Sequence, residues 1–144
     1  MNIRLGTLSD FAKIIQIENQ VFKNSRWHCT HLREELISGN DRRTLVIEDF
    51  EVIIGYLMVR KFENQIDILN FAIDKFFQGK GIGWKLLTYF LESLPLTTEV
   101  TLEVKQNNKK AINLYSKAGF LKIGSRKRYY RDGSDALIMK YIKK

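Results

Sequence analysis

The order in which helical and strand-like patterns follow one another constrains the fold of this chain most strongly. Runs of β-branched and apolar residues predict strands at 2–5, 44–49, 52–60, 66–73, 98–104, 120–128 and 136–142. Apolar residues at helical spacing predict helices at 11–22, 30–38, 82–93 and 108–118. Helices interspersed among strands in this way are typical of a single mixed sheet covered by helices. The sequence therefore predicts an α/β fold with the order β-α-α-β-β-β-α-β-α-β-β.

Length and composition indicate one ordinary globular domain, residues 1–144. A chain of 144 residues suits a single core, and 44% hydrophobic with 28% charged residues is a usual balance. No apolar run approaches the roughly 18 residues that a membrane span requires. The N-terminal segment lacks the apolar stretch of a secretory signal. The single cysteine, Cys29, has no partner for an internal disulfide, and we expect it to be small and partly buried. These features favour a cytoplasmic location.

The net charge of the chain is strongly positive. It carries 24 Lys and Arg residues against 16 Asp and Glu residues, which gives a formal charge of +8. Such an excess indicates a polyanionic partner, because the summed field of the protein attracts anions. Nucleic acid, a ribosome surface, a phosphorylated cofactor and an acidic substrate are all compatible with this charge. The charge alone does not distinguish these partners.

A cluster of glycines lies between a predicted strand and a predicted helix. In QGKGIG, residues 78–83, three glycines occur within five positions. The first backbone N–H groups of a helix have no intrahelical partner, and the helix dipole adds positive potential there. Glycines allow a ligand to approach these groups closely and permit positive φ angles. The pattern indicates an anion cradle for a phosphate or pyrophosphate, to which Lys80 and Lys85 add charge. The alternative is a tight loop that only needs glycine.

The glycine cluster and a later motif together resemble a known family. QGKGIG resembles the acetyl-coenzyme A pyrophosphate loop of the GCN5-related N-acetyltransferase (GNAT) superfamily. NNKKAINLYSKAGF, residues 107–120, is similar to the late helix that lines the cofactor in that superfamily. The segments LEV (102–104) and RYYRDGSDALIM (128–139) resemble the ribosomal-protein-alanine N-acetyltransferase (RimI-like) family. The resemblance covers nearly the whole chain.

This resemblance implies a fold and a cosubstrate. It implies a single GNAT domain, with a mixed and mostly antiparallel sheet flanked by about four helices. The implied cosubstrate is acetyl-CoA, and no metal is expected. Backbone groups of residues 70–73, including Phe71 and Ile73, are expected to pair with the pantetheine arm. The other residues expected to bind the cofactor are Gln78, Gly79, Lys80, Gly81, Ile82, Gly83, Asn108 and Tyr115.

Two residues are candidates for the chemistry of acetyl transfer. Glu103 lies between apolar Leu102 and Val104 in a strand, so alternation places its side chain on the opposite face. Taken alone it is an ordinary solvent-facing glutamate, but the resemblance implies that it is the general base. The resemblance likewise implies that Tyr115 donates a hydrogen bond and then a proton to the leaving thiolate. The alternative for Tyr115 is simple packing, because it shares a helical face with Ile112.

Three residues are candidates for contact with the acceptor. Glu18 lies in the middle of an apolar helical stripe, where a carboxylate can bind an incoming α-ammonium or make a structural hydrogen bond. Tyr129 and Tyr130 resemble tyrosines that line the peptide groove of N-terminal acetyltransferases. Acceptor choice is expected to depend on the loops around 23–32 and 127–134.

The predicted function is transfer of the acetyl group of acetyl-CoA to a protein N-terminal α-amine, with a ribosomal protein as one candidate. A protein α-amino group has a pKa of about 7.7–8.0, against about 10.4 for lysine, so it needs little help with deprotonation. The alternative is acetylation of a lysine side chain or a small amine. A third hypothesis, a nucleic-acid-binding module, rests on the basic stretch SRKRYYRDGS. We expect neither a stable nucleic-acid complex nor a membrane partner, and the sequence leaves the oligomeric state open.

Overall fold

The computed structural model describes residues 1–23, 29–37 and 39–144. The strands are β1 (Asn2–Leu5), β2 (Arg42–Asp49), β3 (Val52–Phe62), β4 (Gln65–Ile73), β5 (Glu99–Lys105), β6 (Leu121–Arg126) and β7 (Ala136–Ile142). The α-helices are α1 (Phe11–Phe22), α2 (Cys29–Leu36), α3 (Ile82–Glu92) and α4 (Lys109–Ala118). The predicted element order is confirmed for the described residues. Most boundaries differ by one or two residues, because terminal turns and strand ends are weakly specified.

All seven strands join in one sheet with the order β1-β2-β3-β4-β5-β7-β6. Neighbouring strands are antiparallel, except that β4 and β5 run parallel and are joined by the crossover through α3. The predicted mixed, mostly antiparallel sheet is therefore confirmed. The parallel pair lies at the middle of the order, so the two halves of the sheet meet there.

Helices cover both faces of the sheet. On one face, α3 and α4 bury Leu86, Leu87, Phe90 and Tyr115 against the sheet. On the other face, α1 and α2 bury Ile14, Ile17, Leu32 and Leu36. The strand β3 contributes to both cores, with Leu57 on one side and Met58 on the other. This double burial explains the continuous apolar run VIIGYLMV, which shows no polar alternation.

Strands β4 and β5 pair over only a short stretch, so the sheet has a gap between them beyond that stretch. Their register runs from Gln65 opposite Glu99 to Ile68 opposite Leu102. Immediately beyond, the pairing of β3 with β4 shifts register, because Val59 faces Ile68 while Met58 faces Asn70. A register shift of this kind bends a strand and increases its twist. The second half of β4 therefore lies beside a gap in the sheet, opposite the end of β5.

Local sequence signals position α4 beside this gap. The side chain of Asn108 accepts a hydrogen bond from the Ala111 N–H at 3.2 Å, which makes Asn108 the N-cap. The helix ends at Gly119, whose φ of 107° is left-handed. Both boundaries agree with the predicted helix. They fix the rotation of α4, so that Tyr115 faces the sheet.

Candidate active site

The glycine loop between β4 and α3 has the backbone form of a cradle. Gly79 and Gly81 have φ angles of 77° and 79°, and an added Cβ at either position would meet nothing within 4 Å. Gly81 is the N-cap of α3. A residue with a Cβ adopts such φ angles only with strain, so the backbone conformation favours glycine at both positions. The open space beside them leaves the N-terminal N–H groups of α3 accessible to an anion.

Gly83 differs from these two glycines in its surroundings. A Cβ at this position would lie 3.6 Å from Ile73 and Leu114 and 3.7 Å from Phe71. These are ordinary van der Waals distances, so the surrounding protein would accept an alanine at this position. Positive φ angles therefore account for Gly79 and Gly81, but not for Gly83.

A cavity of about 640 Å³ runs along this loop, and we call it the glycine cavity. Its walls come from α1, the end of β4, the loop, the start of α3 and helix α4. The predicted cofactor residues that line it are Phe71, Ile73, Gln78, Gly79, Gly81, Ile82, Gly83, Asn108 and Tyr115. The structure therefore brings most of the predicted set to one cavity. Lys75 and Lys110 also line it and supply positive charge that the sequence analysis did not select.

Two of the predicted cofactor residues have other contacts as well. The side-chain amide of Gln78 donates a hydrogen bond to the backbone oxygen of Ile73 at 2.9 Å, which closes the turn after β4. The Lys80 ammonium lies 5.5 Å from the centre of the Phe77 ring. Lys80 is exposed and does not line the glycine cavity, although it belongs to the same loop.

A second cavity, of about 200 Å³, lies in the gap between β4 and β5, and we call it the central cavity. It shares Phe71, Asn108 and Tyr115 with the glycine cavity. The predicted residues that line it are Glu18, Phe71, Glu103, Asn108, Tyr115 and Tyr130. Both candidates for the chemistry, Glu103 and Tyr115, therefore border the same small space.

Tyr115 approaches the central cavity from helix α4. Its ring packs 5.6 Å from that of Phe120 and 6.3 Å from that of Phe71, measured between ring centres. Only 7% of the residue is exposed. Burial raises the pKa of the phenol strongly, and the nearby Tyr130 adds to the shift. Tyr115 therefore keeps its proton at any physiological pH and is available as a hydrogen-bond donor.

Glu103 approaches the same space from β5. Leu102 and Val104 are buried, whereas the side chain of Glu103 is 30% exposed, so the predicted alternation is confirmed. Its Oε1 lies 3.2 Å from Nε of Arg126 on β6. The charge of Glu103 is the largest cause of a raised pKa at Tyr129 and the second, after burial, at Tyr130. The carboxylate thus stands at the boundary between buried and solvated parts of the site.

A third cavity, of about 550 Å³, extends from Glu103 to the solvent, and we call it the tyrosine cavity. It shares Glu103 and Tyr130 with the central cavity and adds Tyr129, Arg126 and Asp67. The two tyrosine rings stand edge to face with their centres 5.1 Å apart. Burial and the charge of Glu103 raise the pKa of Tyr130 to about 12. Both predicted tyrosines therefore lie beside Glu103.

Lys105 attaches the turn that carries these tyrosines to β5. Its ammonium lies 3.2 Å from Oδ2 of Asp132 and 5.2 Å from the centre of the Tyr130 ring. Hydrogen bonds from Ser134, followed by the contact with Lys105, hold the pKa of Asp132 at about 2. Asp132 is consequently ionised throughout the physiological range. Lys105 thus contacts both Asp132 and the ring of Tyr130.

Glu18, on helix α1, also lines the central cavity. Glu18 is fully buried, and its Oε1 accepts hydrogen bonds from Tyr56 Oη at 2.5 Å and from Asn70 Nδ2 at 2.6 Å. Burial and the Glu18 charge strongly raise the pKa of Tyr56. The structure thus combines the two alternatives that the sequence left open, since Glu18 makes structural hydrogen bonds and also lines the cavity.

Sequence reasoning missed several residues that line or support the site. Arg126 and Asp67 line the tyrosine cavity with Glu103, and Lys105 follows Glu103 by two positions on β5. Strand register brings Arg126 there through β7 and Asp67 through the pairing of β4 with β5, and a single sequence does not contain that register. The expectation for Cys29 was wrong, because the residue begins α2 and is exposed. Residues 24–28 of the first acceptor loop, and Ser38 of the predicted second helix, lie outside the described residues.

Within the described residues, no group of three or more His, Cys, Asp and Glu side chains is arranged to hold a metal ion. No helix in the same part of the chain is long and apolar enough to cross a membrane.

Comparison with known proteins decides the family. The model of the acetyltransferase (GNAT) family matches residues 11–120. The chain belongs to this family. It is 37% identical over 136 residues to the [ribosomal protein bS18]-alanine N-acetyltransferase of Haemophilus ducreyi, with 90% of this chain and 92% of the relative covered. It is 32% identical over 156 residues to an N-alpha-acetyltransferase of Sulfolobus acidocaldarius, with 95% and 89% covered.

A solved structure confirms the GNAT fold. The crystal structure of the ribosomal-protein-S18-alanine N-acetyltransferase from Escherichia coli superposes with a TM-score of 0.90 at 23% identity. The match covers 99% of this GNAT chain and 94% of the other. This superposition confirms the predicted fold class, and the family model together with the relatives confirms the superfamily and the RimI-like resemblance predicted from the sequence. The chain is accordingly an acetyl-CoA-dependent acetyltransferase.

Proposed function

We propose that this GNAT protein transfers the acetyl group of acetyl-CoA to the N-terminal α-amine of a protein, with a ribosomal protein as the acceptor. The observation that carries the proposal is the row of three neighbouring cavities. The glycine cavity shares Tyr115 with the central cavity, which in turn shares Glu103 with the tyrosine cavity. Two substrates entering from opposite sides would meet between a buried hydroxyl and a partly exposed carboxylate. The proposal treats residues 1–144 as one catalytic domain.

The glycine cavity fits an acylated, phosphorylated cosubstrate. The left-handed backbone at Gly79 and Gly81 leaves the start of α3 open to a pyrophosphate, and Lys75 and Lys110 add charge. When bound there, acetyl-CoA would supply the thioester that is cleaved. Beyond Ile68, β4 no longer pairs with β5, so residues 70–73 offer a strand edge for the pantetheine arm. Asn108 and Tyr115 line the passage toward the central cavity.

Glu103 is the proposed general base, directly or through one water. The attacking amine must lose a proton, and an α-amine with a pKa of about 7.7–8.0 is already partly neutral near pH 7.5. A carboxylate is therefore a sufficient acceptor for this proton. This role is supported by the fact that Glu103 lines both the central and the tyrosine cavities, since an amine entering from the solvent would pass from one to the other.

Tyr115 is the proposed donor to the leaving thiolate. Its buried phenol has a raised pKa, so it is a strong candidate to donate a hydrogen bond and a poor acid in water. A thiol has a pKa of about 8.5. We therefore expect the Tyr115 hydrogen bond to the developing thiolate to account for most of the effect, with Tyr115 keeping its own proton and the thiolate taking one from solvent after release.

The tyrosine cavity is the proposed entry for the acceptor. Tyr129 and Tyr130 would contact the first residues of the peptide, because aromatic rings with a polar tip bind both apolar and polar parts of a chain. Glu18, across the central cavity from Glu103, would attract the α-ammonium before its deprotonation. A ribosomal acceptor is suggested by the relative from Haemophilus ducreyi, which is named for alanine acetylation of ribosomal protein bS18. A cytoplasmic location is consistent with such an acceptor.

Mass spectrometry of paired peptides tests this function. The protein is incubated with acetyl-CoA and peptides that carry either a free α-amine or a blocked N-terminus with one free lysine. We expect acetylation at the α-amine and loss of activity in Glu103→Gln and Tyr115→Phe. Acetylation of lysine peptides alone, or of small amines alone, would contradict the proposed acceptor. Glu99→Gln, on the same strand, is the matched control.

A further inference from the structure

We propose that Arg126 is a specificity-determining residue for the acceptor. In the free enzyme its guanidinium lies beside Glu103, in the position that the acceptor ammonium takes when it binds. This inference rests on the proposed function of Glu103. Arg126 would then set the KM for the acceptor by competing with it for one carboxylate. It would not act on acetyl-CoA, because it lies in the tyrosine cavity and does not line the glycine cavity.

The contact arises from strand register. Glu103 pairs with Ile138 of β7, and Arg126 pairs with Ala136. Ala136 lies two residues before Ile138, so both side chains are on the same face of β7. The side chains of Glu103 and Arg126 therefore project from the same face of the sheet. Two strand spacings across the sheet and two residues along it separate their Cα atoms, roughly 12 Å in all, which an extended arginine and a glutamate together span. Ala136, opposite Arg126, has a small side chain, and the Ile138 side chain lies beside Gly124, where an added Cβ would be 3.7 Å from Cδ1 of Ile138.

The geometry of the pair is that of an exchangeable contact. Nε of Arg126 lies 3.2 Å from Oε1 of Glu103, and the two side chains are 57% and 30% exposed. Ion pairs in such solvated surroundings are weak, because water and salt screen them and two long side chains must be held in place. An incoming ammonium can therefore displace the guanidinium. Glu103 keeps a cationic neighbour in both states.

The surroundings of Arg126 favour two positions for its guanidinium. Its Cζ lies 5.8 Å from the centre of the Tyr129 ring, on the outer side of the tyrosine cavity. An arginine that leaves a carboxylate can remain on the face of an aromatic ring. Asp67 lines the same cavity and offers a second acidic neighbour. Displacement from Glu103 thus leaves the guanidinium with partners.

Steady-state kinetics with three variants tests the inference. In Arg126→Gln we expect the acceptor KM to fall about two- to fivefold, since one weak competing ion pair and one repulsive charge are removed. In Arg126→Lys the competing cation remains, so the acceptor KM stays near that of the wild type. Lys122→Gln removes the same charge from an exposed position of the same strand, opposite the core residue Met139, and should not lower it. The KM for acetyl-CoA and the melting temperature should be unchanged in all three.

An unchanged or raised acceptor KM in Arg126→Gln would overturn the inference, as would an equal fall in Lys122→Gln. Calorimetric titration of a free-amine peptide and its N-acetylated form, with coenzyme A present, provides a readout without turnover. We expect Arg126→Gln to bind only the free-amine peptide more tightly. A wild type that binds both forms equally would also overturn the inference. Failure of the proposed function is recognised separately, as the absence of α-amine acetylation in the wild type.

Discussion

The glycine side and the tyrosine side of this acetyltransferase are built in different ways. On the glycine side, consecutive residues 78–83 form a backbone cradle, and Asn108 and Tyr115 come from the adjoining helix α4. On the tyrosine side, the groups that surround Glu103 come from four strands and a turn. A backbone cradle is specified by local sequence, whereas a side-chain groove depends on register. A family built this way can keep the same cosubstrate on the glycine side while the acceptor on the tyrosine side varies.

The largest expected effect lies where the two sides meet. Glu103→Gln removes the proposed base and should lower kcat about 10²- to 10⁴-fold near pH 7. Because an α-amine is mostly neutral above its pKa of about 7.7–8.0, the deficit should shrink as the pH rises toward 9. With a lysine acceptor, whose pKa is about 10.4, the deficit should persist. A pH–rate series on both acceptors checks this, and a pH-independent deficit with the α-amine would contradict the role of Glu103.

The next largest effect is expected at the buried phenol. Tyr115→Phe keeps the ring packing against Phe71 and Phe120 and removes one donor, so kcat should fall about 10²-fold with little change in melting temperature. The raised pKa of Tyr115 predicts no loss of wild-type activity from its ionisation up to pH 10. Tyr141→Phe, which also contacts Phe120, is the control. A kcat within twofold of the wild type would exclude Tyr115 as the donor.

One glycine on the glycine side and one on the tyrosine side offer a matched comparison. Gly81 and Gly133 have φ angles of 79° and 83°, and neither would bring a Cβ within 4 Å of another group. An alanine at either position therefore introduces the same backbone strain, about 1–2 kcal/mol. Gly81→Ala should raise the KM for acetyl-CoA about tenfold, and Gly133→Ala should raise only the acceptor KM. Equal effects of both variants on both substrates would remove the distinction between the two sides.

The smallest effects are expected at the buried carboxylate of α1. Glu18→Gln keeps an acceptor for Tyr56 and Asn70 but removes the charge, so the acceptor KM should rise roughly three- to tenfold if Glu18 attracts the ammonium. Tyr56→Phe should instead lower stability by about 1.5–3 kcal/mol and leave that KM near the wild type. Measurements of KM and chemical denaturation separate the two. A wild-type KM in Glu18→Gln would make the residue purely structural.

The sequence predicts the fold and the glycine side well, for physical reasons that are local. The cap at Asn108, the left-handed Gly119 and the positive φ angles at Gly79 and Gly81 are each encoded within a few residues. The tyrosine side is only partly predictable, because Tyr129 and Tyr130 occur in a recognisable segment. The contacts of Arg126 with Glu103 and of Lys105 with Asp132 arise from strand pairing between distant segments. Glu18 looked ambiguous in the sequence since both of its hydrogen-bond partners are more than 35 residues away.

The most direct test of the two-sided site is amide chemical-shift mapping of the full chain. Coenzyme A is titrated first, followed by a short peptide with a free α-amine. We predict that coenzyme A perturbs residues 78–83 and 108–115, and that the peptide then perturbs Glu103 and residues 126–134. Perturbation of the glycine loop by the peptide, or of residues 126–134 by coenzyme A alone, would contradict the assignment of the two cavities to two substrates.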